Sequence, residues 1–155
     1  DVLVGRLTTL LGVGLPDPRV TVSEELDASW LAAFRRSRPY AADPEIVRQI
    51  LTGQPPTAYA SVAAEDGERM AAIARGHVSG SWLGLMAIWT EPEHRRQGLA
   101  TAMMRALGHW AARRGARYVY LQVAQQNLTA QQAYARLGFV HHHSYRYLAP
   151  PTPRP

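Results

Sequence analysis

The longest regular pattern of apolar residues begins at Leu99. Apolar side chains recur there at intervals of four, four and three residues: Leu99, Met103, Leu107 and Trp110. Three further residues widen the same stripe: Ala100, Met104 and Ala111. The opposite face carries Thr101, Arg105, Gly108 and His109. This spacing predicts an amphipathic helix that packs against a sheet.

Extended apolar segments surround this helix. Three of them precede it, at 57–64, 69–78 and 82–90, and the connections between them are short, polar and contain glycine. Such connections predict hairpins, and therefore an antiparallel meander. After the helix, residues 118–123 are apolar on both faces and predict a central, buried strand. A short helix at 129–136 that ends at Gly138, followed by a strand at 139–148, completes the pattern.

The first third of the chain is less regular. Residues 20–22 alternate like a strand, and two helices are predicted with Asp27 and Asp43 as N-caps. We expect residues 1–19 to be a linker or N-terminal extension, such as the end of a missing upstream domain. Residues 20–148 then form one domain of mixed α/β (α+β) class, and the proline-rich tail 149–155 is expected to be disordered.

Composition excludes several classes of protein. A chain of 155 residues suits one domain, and the absence of cysteine excludes disulfides and thiolate chemistry. No apolar run approaches the ~20 residues that span a bilayer. Charge is unevenly distributed: residues 1–93 hold all 12 acidic residues against 8 arginines, whereas residues 94–155 hold 9 arginines and no acid. One side of the protein should therefore attract polyanions.

A basic turn precedes the long helix. Its sequence, Arg95-Arg96-Gln97-Gly98, follows an extended segment directly. The first turn of a helix leaves N–H groups without intrahelical partners, and the helix dipole adds positive potential there. We therefore predict a site for a phosphate or pyrophosphate. Neither GxxxxGK[ST] nor GxGxxG is present, so the turn is neither a P-loop nor a Rossmann fingerprint.

The order of these features resembles a known superfamily. The shared features are the turn Arg95-x-x-Gly98-x-Ala100, a long helix, a strand, Asn127, and the ending Tyr134-x-x-x-Gly138-Phe139. Together they resemble the GCN5-related N-acetyltransferases (GNAT superfamily), over about residues 57–147. The resemblance implies a mixed, mostly antiparallel central sheet flanked by helices. It also implies a cytoplasmic enzyme, monomeric or homodimeric, that needs no metal.

The resemblance further implies a reaction and its residues. An acetyl group passes from acetyl-CoA directly to the amine of an unknown acceptor, a small molecule or a protein, within a ternary complex. The cofactor-binding residues implied are Ile88, Trp89 and Thr90 on the strand, Arg95, Arg96, Gln97, Gly98, Leu99, Ala100 and Thr101 at the turn, and Asn127. Asn127 could equally cap a helix. Tyr134 would contact the cofactor and donate a proton to the departing thiolate, although a helical tyrosine can also be a packing residue.

The general base is the point at which the sequence departs from the superfamily. The position that often carries a glutamate is Gly84 here. His77 or ordered water could accept the amine proton instead, but a histidine in a hairpin strand is commonly structural. This departure keeps open a second interpretation, a non-catalytic domain that binds or senses acyl-CoA.

Two further interpretations are less favoured. A basic module that binds nucleic acid would need exposed aromatic rings, and Tyr118 and Tyr120 lie on a strand predicted to be buried. The run His141-His142-His143 suggests a metal site, but His142 should point away from its two neighbours in a strand. We therefore expect no metal, and a structural role or a place in the acceptor site for this run.

Overall fold

A computed structural model describes residues 1–12, 16–38, 43–53, 56–65, 67 and 69–146. The strands are β1 (Val2–Arg6), β2 (Val20–Ser23), β3 (Thr57–Ala63), β4 (Met70–Ser79), β5 (Trp82–Thr90), β6 (Tyr118–Gln122) and β7 (Val140–His143). The helices are α1 (Leu7–Leu11), α2 (Ala28–Ser37), α3 (Pro44–Thr52), α4 (Leu99–Ala112) and α5 (Leu128–Arg136), with a 3₁₀ turn at Pro92–His94. Asp27 and Asp43 cap α2 and α3 as predicted.

The strands form one sheet in the order β2-β3-β4-β5-β6-β1-β7. Every neighbouring pair is antiparallel except β5 and β6. That pair is parallel because the chain crosses over through α4 between the two strands. The predicted class, a mixed and mostly antiparallel sheet flanked by helices, is confirmed.

Each face of the sheet has its own apolar core, and successive strand residues alternate between the two. On β3, Ala58 and Ala60 belong to the core under α4, whereas Tyr59 belongs to the core under α2 and α3. The α4 side buries Met103, Leu107 and Trp110 almost completely. On the other side the indole N–H of Trp30 donates to the backbone oxygen of Ala60 at 3.1 Å, so its one polar atom is paired inside the core.

The first residues of the chain belong to the fold, so the expectation of a linker or extension is wrong for residues 2–11. Strand β1 lies between β6 and β7, and Leu7 and Leu10 of α1 are buried against α4. Gly108, predicted on the exposed face of α4, is buried where α1 packs: a Cβ there would lie 2.9 Å from Leu11 Cδ2. Strand β1 and helix α1 are five residues each, which is too short to show a hydrophobic period in the sequence. The upstream domain stays a prediction, and the tail 149–155 lies outside the described residues.

Strand β6 is central, as predicted, but it is not buried on both faces. Val119 and Leu121 are buried, whereas Tyr118 and Tyr120 are half-buried on the face away from α4. On that face the tyrosine rings pack against Trp82, with centroid distances of 4.9 Å for Tyr118 and 6.3 Å for Tyr120. Strand β7 ends at His143, earlier than predicted.

We predict that Leu10→Ala lowers the free energy of unfolding by about 2–5 kcal/mol, since it removes a fully buried side chain between α1 and α4. Thr8→Ala, at an exposed position of the same helix, should change it by less than about 0.5 kcal/mol. Urea unfolding followed by tryptophan fluorescence measures both. Equal and small effects would show that α1 does not unfold together with the core.

Candidate functional site

The sheet opens between β5 and β6. The two strands pair from Trp82↔Tyr118 to Leu85↔Leu121, and no further pairs follow. Beyond this point β5 stays paired with β4 as far as Thr90. The register between β4 and β5 shifts here, and Ala87 has a positive φ of 54°, so β5 bulges where it leaves β6. The side of β5 that faced β6 is therefore without a strand partner from residue 86 onward.

The basic turn follows the end of β5. The side chain of Arg95 donates from Nε to the backbone oxygen of Thr90 at 3.2 Å, which ties the turn to the strand. Arg96 and Gly98 both have left-handed backbone angles, with φ of 63° and 76°. This conformation costs a non-glycine residue about 1–3 kcal/mol, and such strain clusters at functional sites. The N-cap of α4 is Gly98, which has no side chain to accept from the N–H groups of the first turn, so these groups can donate to a ligand.

One groove of about 840 Å³ joins the turn, the end of β5 and α5. It is lined by nearly all the predicted site residues: Ile88, Trp89, Thr90, Arg95, Arg96, Gly98, Leu99, Ala100, Thr101, Asn127 and Tyr134. Gln97 is exposed and does not line it. Six further residues line the groove and were not predicted from the sequence: His94, Thr129, Ala130, Gln132, Ala133 and Arg136. Five of these lie on one face of α5, and their spacing of three, four and seven residues was a signal available in the sequence.

The groove is cationic. Its described lining includes Arg95, Arg96 and Arg136 and contains no carboxylate. Three of the nine arginines in residues 94–155 thus line the groove, and two of them lie next to the N-terminus of α4, where the helix dipole adds positive potential. An elongated anion is the ligand that this potential favours.

Asn127 and Tyr134 hold α5 in place as well as lining the groove. Asn127 Oδ1 accepts from the N–H of Ala130 at 3.2 Å, so this residue is the N-cap of α5. The ring of Tyr134 packs on Phe139 at a centroid distance of 5.9 Å. Burial raises the pKa of the Tyr134 phenol, so the group stays protonated at neutral pH. A protonated phenol beside a groove can donate a proton.

Gly84 has no room for any side chain. A Cβ added there would collide with His77 Cε1 and lie 2.7 Å from Tyr120 Oη. Tyr120 Oη and His77 Nε2 are within hydrogen-bond distance at 3.1 Å, and no described group pairs with the buried Nδ1 of His77. Burial, and then the charge of Arg75, lower the pKa of His77. The space that a glutamate side chain at position 84 would occupy is therefore filled by the neutral imidazole of His77 and the phenol of Tyr120.

The three consecutive histidines lie at the edge of the sheet. All of them are exposed on β7, and His141 Nε2 lies 3.0 Å from Ser144 Oγ. Among the described residues, no group of three or more histidine, cysteine, aspartate or glutamate side chains is arranged to hold a metal ion. Within the same residues, no helix is long and apolar enough to cross a membrane.

Comparisons with known proteins agree on one superfamily. A family model described as "Probable histone acetyltransferase Rv0428c C-terminal" matches residues 1–148. A curated relative, the uncharacterized N-acetyltransferase YobR of Bacillus subtilis (strain 168), is 36% identical over 83 residues, which cover 52% of this chain and 34% of the relative. The chain thus spans about a third of the length of that relative.

Solved structures share the fold. A GNAT-family crystal structure from Novosphingobium aromaticivorans has a TM-score of 0.66 at 24% identity, and covers 90% of this chain and 58% of its own. The complex of AAC(6')-Iy with the bisubstrate analog CoA-S-monomethyl-acetylneamine has a TM-score of 0.67 at 15% identity, and covers 86% of this chain and 99% of its own. At these identities the likeness establishes the fold.

The state of His77 predicts how stability depends on pH. The pKa of His77 lies below 6.5 in the folded chain, so the unfolded chain binds more protons as pH falls through 6.5. His77 should therefore make the free energy of unfolding decrease with acidification, and His77→Gln should flatten this decrease. Urea unfolding at pH values from 8 to about 5 measures how the free energy of unfolding changes with pH. At pH 8 the imidazole is neutral in the folded and the unfolded chain, so the difference between the two proteins at that pH is the packing cost of the substitution. Parallel slopes for the two proteins would contradict the prediction.

Proposed function

Because the chain belongs to the GNAT superfamily, within the family described as "Probable histone acetyltransferase Rv0428c C-terminal", we propose that it is an N-acetyltransferase. It moves an acetyl group from acetyl-CoA directly to an amine, of a small molecule or a protein, in a ternary complex. The observation that carries the proposal is the single cationic groove that joins the first turn of α4, the unpaired end of β5 and Tyr134.

In this proposal the pyrophosphate of acetyl-CoA binds at the first turn of α4. Backbone N–H groups at Gly98, Leu99, Ala100 and Thr101 supply donors, and the neighbouring arginines add charge. The left-handed Gly98 keeps the space beside the backbone open, since no atom lies within 4 Å of where its Cβ would be. Gln97, which is exposed and does not line the groove, serves only as part of the turn.

The pantetheine arm then lies along β5. The bulge at Ala87 and the lost pairing with β6 leave backbone groups of Ile88, Trp89 and Thr90 without a strand partner on that side. An extended amide chain can use them as a strand would. The thioester is thereby carried into the gap between β5 and β6, where a backbone N–H can polarise its carbonyl.

The chemistry is acyl transfer. The amine nitrogen attacks the thioester carbon, the C–N bond forms, and the C–S bond breaks as the tetrahedral intermediate collapses. Tyr134 donates its phenolic proton to the departing thiolate, a role that its raised pKa allows. The amine proton passes to water, because His77 does not line the groove and its ring nitrogens are buried or paired with Tyr120.

The second candidate is a domain that binds acyl-CoA without turnover. The observation that favours it is Gly84, because the side chains of His77 and Tyr120 exclude a glutamate from that position. The two proposals share the groove and differ in whether any amine is acetylated.

The cofactor site is tested by Gly98→Glu. The new carboxylate would point into the groove and repel the pyrophosphate, so the affinity for acetyl-CoA measured by isothermal titration should fall by at least about 100-fold. Gly115→Glu is the matched control: Gly115 also has a positive φ, of 84°, and open space at its Cβ, but it follows the other end of α4. The control should bind like the wild type. Unchanged binding by Gly98→Glu would contradict the proposed site.

Tyr134→Phe separates catalysis from binding. We expect kcat to fall by about 10²–10⁴, while the affinity for acetyl-CoA stays within about threefold, since the ring still packs on Phe139. Steady-state rates of thiol release and isothermal titration give the two quantities. An unchanged kcat would assign Tyr134 to packing alone.

A further inference from the structure

A second, apolar cavity lies beyond the groove, on the other side of the opening between β5 and β6. A narrow space of about 160 Å³ runs between β5 and β6 and shares Ile88, Asn127 and Tyr134 with the groove. It shares Arg38, Met86 and Ala87 with a cavity of about 280 Å³. The three spaces therefore adjoin one another along a path, with the bulge at Ala87 between its two ends.

The far cavity is built from α2, α3 and β5. Its apolar lining is Phe34, Val47, Ile50, Leu51, Met86 and Ala87. Ile50 is 62% exposed and Met86 41% exposed, so large apolar side chains face open space beside the path. A cluster of exposed apolar groups in a concave place is typical of a binding site. The cavity can take a branched aliphatic or aromatic group.

Charge at this end of the path is purely positive. None of the described residues that line the narrow space or the apolar cavity is acidic. Arg38 lines both, and its guanidinium lies over the ring of Phe34 at 5.5 Å with no carboxylate partner in the described part of the chain. A polycationic acceptor would meet this charge unpaired, whereas a carboxylate would form a charge-assisted hydrogen bond with it.

We propose that the acceptor is an apolar α-amino acid. Its side chain fills the cavity between α3 and β5, its carboxylate binds Arg38, and its amine points through the opening at Ala87 toward the thioester. Arg38, Met86 and Ala87 line both spaces, so an α-carbon beside them can place its side chain in the apolar cavity, its carboxylate at Arg38 and its amine in the narrow space. This inference rests on the proposed acetyl transfer and adds the class of acceptor to it.

Initial rates of thiol release at saturating acetyl-CoA test the proposal. The acceptors are L-leucine, L-phenylalanine, L-leucinamide, which lacks the carboxylate, glycine, which lacks the side chain, and two cationic probes, spermine and a lysine-rich peptide. We expect kcat/KM for leucine or phenylalanine to exceed that of every other acceptor by at least about tenfold. Arg38→Gln should lower kcat/KM for leucine about tenfold and leave leucinamide within about twofold.

Arg35→Gln is the matched control, because Arg35 is an exposed arginine of the same helix that lines neither space. This substitution should leave kcat/KM unchanged for both leucine and leucinamide. A higher kcat/KM for spermine or the peptide than for leucine would overturn the acceptor class while acetyl transfer stands. Binding of acetyl-CoA with no turnover of apolar amino acids would also overturn it. Failure to bind acetyl-CoA would instead contradict the function on which the inference rests.

Discussion

The separation of two parallel strands organises this protein. Strands β5 and β6 pair only as far as Leu85↔Leu121, because the bulge at Ala87 turns β5 away. A central strand with an unpaired side is costly unless another group satisfies its backbone. The groove, the narrow space and the apolar cavity all open at this one place. The opening thus leaves one side of β5 without a strand partner and lies where the three spaces adjoin.

Packing on both faces holds the opening in shape. On one face α4 is anchored by its buried stripe and by α1, whose leucines fit against Gly108. This fixes the uncapped first turn of α4 beside the end of β5. On the other face Trp30 and Tyr59 hold α2 and α3 over β3 and β4, and so place Arg38 and Ile50 next to Met86. The groove and the apolar cavity are therefore supported by separate cores, and each could change in sequence without disturbing the other.

The elements that depend on short-range patterns were predicted correctly from the sequence. The turn at 95–98, the stripe of α4 and the strands from Thr57 onward follow from short-range patterns, and the structure contains them. Strand β1 and helix α1 were missed because five residues are too few to show a period. His77 was named from the sequence as a substitute for the missing glutamate, but its partner Tyr120 was not, since the two residues are 43 positions apart and meet only through the register of three strands. The apolar cavity likewise requires the relative positions of α2, α3 and β5.

A crystal structure of the chain with CoA tests whether the opening between β5 and β6 is the cofactor site. We expect the pyrophosphate within hydrogen-bond distance of the backbone N–H groups at 98–101, the pantetheine arm alongside Ile88–Thr90, and the thiol in the opening, near the Tyr134 hydroxyl. CoA bound elsewhere on the molecule, or a β5–β6 opening that stays empty at saturating CoA, would contradict this expectation.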